Sequence, residues 1–281
     1  MMTSIDLAIS ADEIGIRSAR HGEMLLRSAF QLIYRTSDDT FEGIAAEGFV
    51  RIFRSGQTVE PLSYLDHLPA QDHVFATRLA TALHIANHGN IGIDGLDHIL
   101  AIRSPVGLIS PEAVSHLLTE TGMDASRLIC LVRDAVSLQS HEIRTIADEF
   151  RSLGARIAMA SSGQPDLQAI RSGRPDIVSI DGAWFRRVCL NVSAMRLLCS
   201  FVGGLRADGI TVLIDGIETR SQLRAAVDTG ADLLRGYLFG RPQLAGTVPP
   251  DAVLDRAKLL SGGGGVVSLF DAGVRRTHQA G

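Results

Sequence analysis

Two carboxylates, Asp215 and Glu218, follow directly on a short apolar run, Ile210 to Ile214. The run is β-branched and suits a strand buried on both faces. Gly216, between the acids, permits a tight turn. Hard oxygen donors at the C-terminal end of a strand can hold a divalent cation, and α/β folds keep their chemistry there. The plainer alternative is a solvated turn followed by a helix cap. Arg51 and Arg235 have the chemistry to bind phosphate or to serve as salt-bridge arginines. His84 and His88 stand at helical i, i+4 spacing, which suits either metal binding or a helix-surface pair, and no third ligand accompanies them.

The elements that must position these groups read as follows. Residues 1 to about 28 are expected to form an amphipathic helix, with Ile14, Ile16, Leu25 and Leu26 as its apolar points. Phe30–Arg35 and Phe41–Phe53 read as a hairpin with a break at Gly48. Helices are expected at 62–68 and 71–87, and a strand at Asn90–Ile93. Helices follow near Leu96–Ile102 and Pro111–Thr121. Strands at Leu128–Val132, Arg156–Ala160 and Ile177–Ile180 alternate with helices at 140–152, 165–171 and 190–207. Thr219 and Gln222 have capping-box spacing for one more helix, ending near Gly230. Leu233–Phe239 reads as the last strand. This alternation predicts an α/β fold, a (β/α) barrel. After about residue 260 a run of glycines, Gly262–Gly265, reads as a flexible linker to a short tail. The expected division is a helical segment at 1–29, a barrel at 30–260, and a linker and tail at 261–281.

The chain has 281 residues, 46% of them hydrophobic, enough for a sizeable core. Its formal charge of −4 gives no general attraction to nucleic acid or to an anionic membrane. Cys130, Cys189 and Cys199 lack metal-type spacing and read as buried, reduced thiols, which fits a cytoplasmic protein. No apolar run is long enough for a membrane span, and the acidic N-terminus is unlike a signal peptide.

Asp215-Gly216-Ile217-Glu218-Thr219 resembles the EGVET segment of EAL-type cyclic-di-GMP phosphodiesterases, and Arg235 to Pro242 resembles their QGYLFGRP segment. The two occur in the family's order and at its separation. The resemblance extends from about Phe30 to Pro250 and implies the modified TIM (β/α)8 barrel of that family. It places Glu47 at a metal-binding Glu and Arg51 at a phosphate-binding Arg. Asp94 falls at a metal-binding Asn, and Gln31 follows the start of the family's first strand.

The same resemblance marks departures. Leu131 stands where the family has a metal-ligating Glu, and Ala160 and Ser161 stand for the two Asp of its DDFG turn. Ser179 replaces a lysine, Asp215 a Glu and Arg235 a Gln. Two-metal phosphodiester hydrolysis needs several anionic oxygens on one face. Glu47, Asp94 and Asp215 remain as a vestigial metal set, so no cofactor is expected unless Mg²⁺ or Mn²⁺ supports a residual activity. Three functions follow from the resemblance. The first is an inactive regulatory protein acting on a protein partner, with a homodimer open. The second is a receptor that binds cyclic-di-GMP through Gln31, Arg51, Glu218 and Arg235 without cutting it. The third is an active phosphodiesterase with an altered metal site. Four carboxylates facing two phosphates would repel, which disfavours the receptor.

Overall fold

The computed structural model describes residues 4–102, 110–133, 140–161, 170, 173–248 and 250–261. A short helix α1 (Ser4–Ala8) leads into β1 (Ile9–Ala11), β2 (Arg17–His21), β3 (Met24–Thr36), β4 (Thr40–Arg54) and β5 (Gln57–Val59). Helices α2 (Pro61–Asp66) and α3 (Ala70–Ala86) follow, then β6 (Asp97–Ile102), α4 (Pro111–Thr121), β7 (Leu128–Val132) and α5 (Ser140–Ser152). Next come β8 (Arg156–Ser161), β9 (Ile177–Ile180), α6 (Gly182–Val188), α7 (Val192–Ala207) and β10 (Thr211–Ile214). The chain continues through α8 (Arg220–Asp228), β11 (Leu233–Leu234), β12 (Gln243–Leu244), β13 (Val253–Asp255) and α9 (Arg256–Ser261).

Strands β3, β11, β10, β9, β8, β7, β6 and β4 pair in that order, and β4 pairs back to β3, which closes a barrel of eight strands. β3 runs antiparallel to both of its barrel neighbours, and the other barrel pairings are parallel. The expected (β/α)8 barrel is therefore present, modified by one reversed strand.

Alternation along the strands builds two layers inside it. Ile33, Ala45, Ile99, Ile129, Leu131, Ala158, Ile177, Leu213 and Leu233 form an apolar lower layer. The next inward position toward the C-terminal ends brings Glu47 above Ala45, Arg133 above Leu131, Asp215 above Leu213 and Arg235 above Leu233. The outer strand faces pack against the surrounding helices in two larger clusters.

Three expectations are corrected. The helix over 1–28 is confined to Ser4–Ala8, and the rest is strand. Gly15 and Gly22 both have positive φ, which interrupts a helix. Gly22 and Glu23 instead make a two-residue hairpin turn in which His21 pairs with Met24. Second, Asn90–Ile93 is not a strand: a 3₁₀ turn covers His88–Ile91, and the strand is Asp97–Ile102, where a helix was expected. A short apolar run carries no reliable period, and turns at Gly92 and Gly95 reset the chain ahead of it. Third, β11 keeps only Leu233–Leu234 of the expected Leu233–Phe239 strand. A Cβ on Gly236 would lie 2.0 Å from the Ile217 carbonyl oxygen, so the segment instead tucks under the acidic turn.

Smaller differences follow the same logic. β4 runs through Gly48 without a break, because Gly48 faces the His84 ring, where a Cβ would come within 2.6 Å. The expected 190–207 helix starts at Val192 with Asn191 as its cap, and a separate α6 precedes it. The Thr219–Gln222 capping box is formed. Cys130 is buried, whereas Cys189 and Cys199 are only partly covered; all three are free thiols. The helix expected at 165–171 falls almost wholly outside the described residues, as does the tail after residue 261.

Candidate functional site: an arginine-filled barrel mouth

β4 delivers Glu47 to the C-terminal mouth of the barrel, where it is 2% exposed. Two guanidinium groups hold it there. Arg133, just past β7, donates through Nη2 to both carboxylate oxygens, at 2.6 and 2.9 Å. Arg235, just past β11, donates through Nη1 to Oε2. Arg235 also forks onto Asp215, with Nε to Oδ1 at 2.8 Å and Nη2 to Oδ2 at 2.5 Å. The backbone N–H of Gly216 adds a bond to Asp215 Oδ1 at 2.7 Å. A buried carboxylate, Glu47, and a partly buried one, Asp215, thus meet two arginines, and the cluster is close to neutral.

Burial by itself would raise the pKa of Glu47, but Arg235 and Arg133 outweigh it and hold the carboxyl below the usual range. Asp215 follows the same pattern: burial raises it, and Arg235, aided by Arg133, lowers it further. For Arg235, burial disfavours the charge while Asp215 and Glu47 more than restore it, leaving it above the ordinary arginine value. A bidentate fork of this kind is among the stronger charge-assisted contacts in proteins.

The other expected site residues are arranged differently. Gln31 lies opposite Glu47 in the β3–β4 register, buried, with Nε2 donating to the Gly240 carbonyl at 2.8 Å. Glu218 turns outward and accepts from Arg186 Nη1 at 3.2 Å; the same nitrogen also bonds the Gly216 carbonyl. Arg51, half-buried and opposite Arg27, makes only a 3.4 Å contact with the Val50 carbonyl among the described residues. Asp94 is not in the site. Glu47 pairs with Ile99, and Asp94 lies five positions earlier, exposed, at the opposite end of the barrel. The misassigned strand displaced that expectation.

Leu131 and Ala160 are buried in the barrel interior and carry no donor, and Ser179 is buried beside them. His84 and His88 are not a helix-surface pair. His84 Nδ1 meets Ser28 Oγ at 2.8 Å, and His88 donates to the Leu96 carbonyl at 2.8 Å. His88 Nδ1 is 3.1 Å from His98 Nδ1, so the rings are structural.

Arg133 and Arg186 were not singled out from the sequence. Arg133 was findable, since it stands two residues past Leu131 on the same face of its strand. At the rim, Arg241 stacks over the Tyr237 ring, 4.5 Å from its centroid.

A closed (β/α) barrel with one reversed strand, carrying charged side chains at its C-terminal ends, defines the class. The chain belongs to the EAL domain family, whose model matches residues 26–242. Among curated proteins it is 25% identical over 136 residues to the cyclic di-GMP phosphodiesterase PdeF of Escherichia coli, covering 47% of this chain and 18% of PdeF. It is 23% identical over 171 residues to the cyclic di-GMP phosphodiesterase NbdA of Pseudomonas aeruginosa, covering 59% of this chain and 21% of NbdA. The chain therefore spans about a fifth of the length of these relatives.

Among solved structures, a manganese and cyclic-di-GMP complex of Klebsiella pneumoniae BlrP1 matches with a TM-score of 0.70 at 21% identity, covering 82% of this chain and 59% of that one. A standalone EAL protein from Vibrio cholerae, bound to cyclic-di-GMP, matches with a TM-score of 0.67 at 15% identity, covering 78% and 92%.

Proposed function

We propose that this chain is a non-hydrolysing regulatory member of the EAL family, acting in cyclic-di-GMP signalling in the cytoplasm through contact with another protein. One observation carries the reading: the Arg235 guanidinium sits between Glu47 and Asp215 and is bonded to both. A pair of Mg²⁺ or Mn²⁺ ions needs several free anionic oxygens. Among the described residues at the strand ends, Glu47 and Asp215 are each bonded to arginine, Glu218 is paired with Arg186, and Asp181, beside Asp215 past β9, accepts from the Trp184 N–H as the cap of α6. Leu131 and Ala160 add no oxygen. The residues present do not fit a two-metal centre.

Engagement within the protein also argues against a nucleotide in the mouth. Gln31 is spent on Gly240, Glu218 on Arg186, and Arg235 is 2% exposed and fully paired. Only Arg51 remains available of the four residues expected to bind cyclic-di-GMP. Leu190, just ahead of α7, and Val192 and Leu197 within it are strongly exposed apolar residues and supply a surface suited to a protein partner. No helix among the described residues is long and apolar enough to cross a membrane.

A second reading, a cyclic-di-GMP receptor, gains from one observation. The carboxylate repulsion expected to oppose it is largely absent, because Glu47 and Asp215 are neutralised, Glu218 is paired and Asp94 is elsewhere. Calorimetric titration with cyclic-di-GMP separates the two. The interaction reading expects a dissociation constant weaker than about 1 µM, equivalent to less than about 8 kcal/mol. Tighter binding that collapses in Arg51→Ala makes the receptor reading correct.

A further inference from the structure

Beyond Gln31 and Glu47, β3 and β4 continue past the mouth as a ribbon, with β2 paired to β3 and β5 paired to β4. Residues directly opposite each other in such a ribbon share a face. Ala19, Leu26 and Ile52 mark the face that packs on Leu79 and Leu83 of α3. The other face carries Arg20 on β2, Leu25 and Arg27 on β3, and Phe49, Arg51 and Phe53 on β4.

Three arginines therefore crowd one face of three adjacent strands. Arg27 stands directly opposite Arg51, and Arg20, opposite Leu25, lies diagonal to Arg27. Like charges directly opposed in a sheet are destabilising. The nearby carboxylates are engaged elsewhere. Glu23, at the hairpin tip, is bonded to Arg54, and Glu47 to Arg133 and Arg235. Glu60, the next residue after β5, accepts from the Ser63 N–H at 2.5 Å as the cap of α2. Among the described residues, Arg20 and Arg27 have no hydrogen-bond or ion-pair partner, and Arg51 has only its 3.4 Å contact with the Val50 carbonyl. Arg20 is exposed, and Arg27 and Arg51 are half-buried beside Leu25, Phe49 and Phe53.

We propose that this ribbon face docks an acidic segment of a partner protein, one in which carboxylates alternate with apolar side chains. The proposal rests on the interaction reading above and supplies the chemistry of the partner. Guanidinium forks match carboxylates in geometry as well as charge, and a bound carboxylate between Arg27 and Arg51 relieves their repulsion. Adjacent strands lie about 4.8 Å apart and alternate residues of an extended peptide about 6.8 Å, so a short acidic run reaches all three arginines. Leu25, Phe49 and Phe53 give its apolar side chains a surface to cover. A long polyanion such as nucleic acid fits less well, because the chain as a whole carries a formal charge of −4.

The test is calorimetry of the purified chain with the capped peptide Glu-Leu-Glu-Ser-Glu-Phe-Glu-Ser, and with the counterpart in which every Glu is Gln. The acidic peptide is expected to bind with a dissociation constant of about 100 µM or tighter at low ionic strength, and more weakly as salt is added. The Gln counterpart is expected to bind at least about tenfold more weakly, as is the acidic peptide to the double variant Arg20→Gln, Arg27→Gln. Arg144→Gln, at an exposed arginine of α5, is expected to leave binding unchanged. No heat at millimolar peptide, equal affinity for the Gln counterpart, binding unchanged in the double variant, or an equal loss in Arg144→Gln each overturns the proposal. Oligothymidylate that binds as tightly as the peptide and is lost in the same double variant overturns it in favour of nucleic acid. The interaction reading itself fails separately, through tight cyclic-di-GMP binding that collapses in Arg51→Ala.

Discussion

Arg235 reaches across the mouth of the barrel to Glu47, a residue 188 positions earlier in the chain. Arg235 stands just past β11 and Glu47 on β4, with β3 between those strands in the sheet. The contact ties the closing seam of the barrel together, and its electrostatics determine what the mouth can hold.

Removing that guanidinium leaves Glu47 buried and Asp215 partly buried, with only Arg133 to offset them. Arg235→Met is therefore expected to cost about 3–5 kcal/mol, as when one partner of a buried ion pair is deleted. Adding Glu47→Leu to Arg235→Met is expected to recover part of the loss, because the uncompensated charge goes with it. Urea denaturation of the single and double variants measures both. A loss below about 1 kcal/mol in the single variant would mean that the pairing is not the buried lock described above.

Acid is expected to destabilise the protein in two windows. His84 is pushed down to about 4, by burial first, with Arg51 lowering and Glu47 raising it. Its unfolded value is near 6.5, so the unfolded chain binds the extra proton between those values, and stability falls as pH drops through that range. Glu47 and Asp215 lie below their ordinary values of about 4.3 and 3.9. Their stabilisation is complete above those ordinary values and is lost as pH falls toward their folded ones. Denaturant midpoints at a series of pH values check this. Burial also lowers His88 and His98, which share the upper window, so His84→Gln should reduce its slope without removing it, and Glu47→Gln should reduce the lower one; a curve flat from neutrality down to about pH 5 would contradict the upper window.

Gly236 fixes the approach of the segment after β11 to the acidic turn. A Cβ at this position would meet Ile217 backbone atoms at 2.0 to 2.5 Å, and the backbone there is held by hydrogen bonds from Ile217 N to the Arg235 carbonyl and from Leu238 N to the Ile217 carbonyl. Gly236→Ala is expected to cost more than about 2 kcal/mol through overpacking, with no flexible side chain available to yield. Thermal denaturation checks it, and a melting temperature equal to that of the parent chain would refute the close approach.

The barrel was legible in the sequence because buried apolar strands alternate with helices, and the 215–242 stretch carries its own turn and cap residues. The N-terminal strands were not, because two glycines separate apolar residues whose spacing imitates a helix. The run after Gly95 was misread because a short stretch of apolar and neutral residues has no decisive period. Glu47, Asp215 and Arg235 were each identifiable as charged residues near strand ends. Their mutual pairing was not, because it depends on the register of strands that sequence order keeps far apart. Arg133 was missed for the same reason. Its inward position, two residues past Leu131, was legible, but its partner lies 86 positions away and the pairing was not.

The central claim is that arginine occupies the charge positions a catalytic metal pair would need. The most direct measurement is turnover of cyclic-di-GMP by the purified chain with Mg²⁺ or Mn²⁺, followed by chromatography of the linear product. The expected result is no product above the buffer control. Turnover that disappears in Glu47→Ala would contradict the account and show a working metal centre at this mouth.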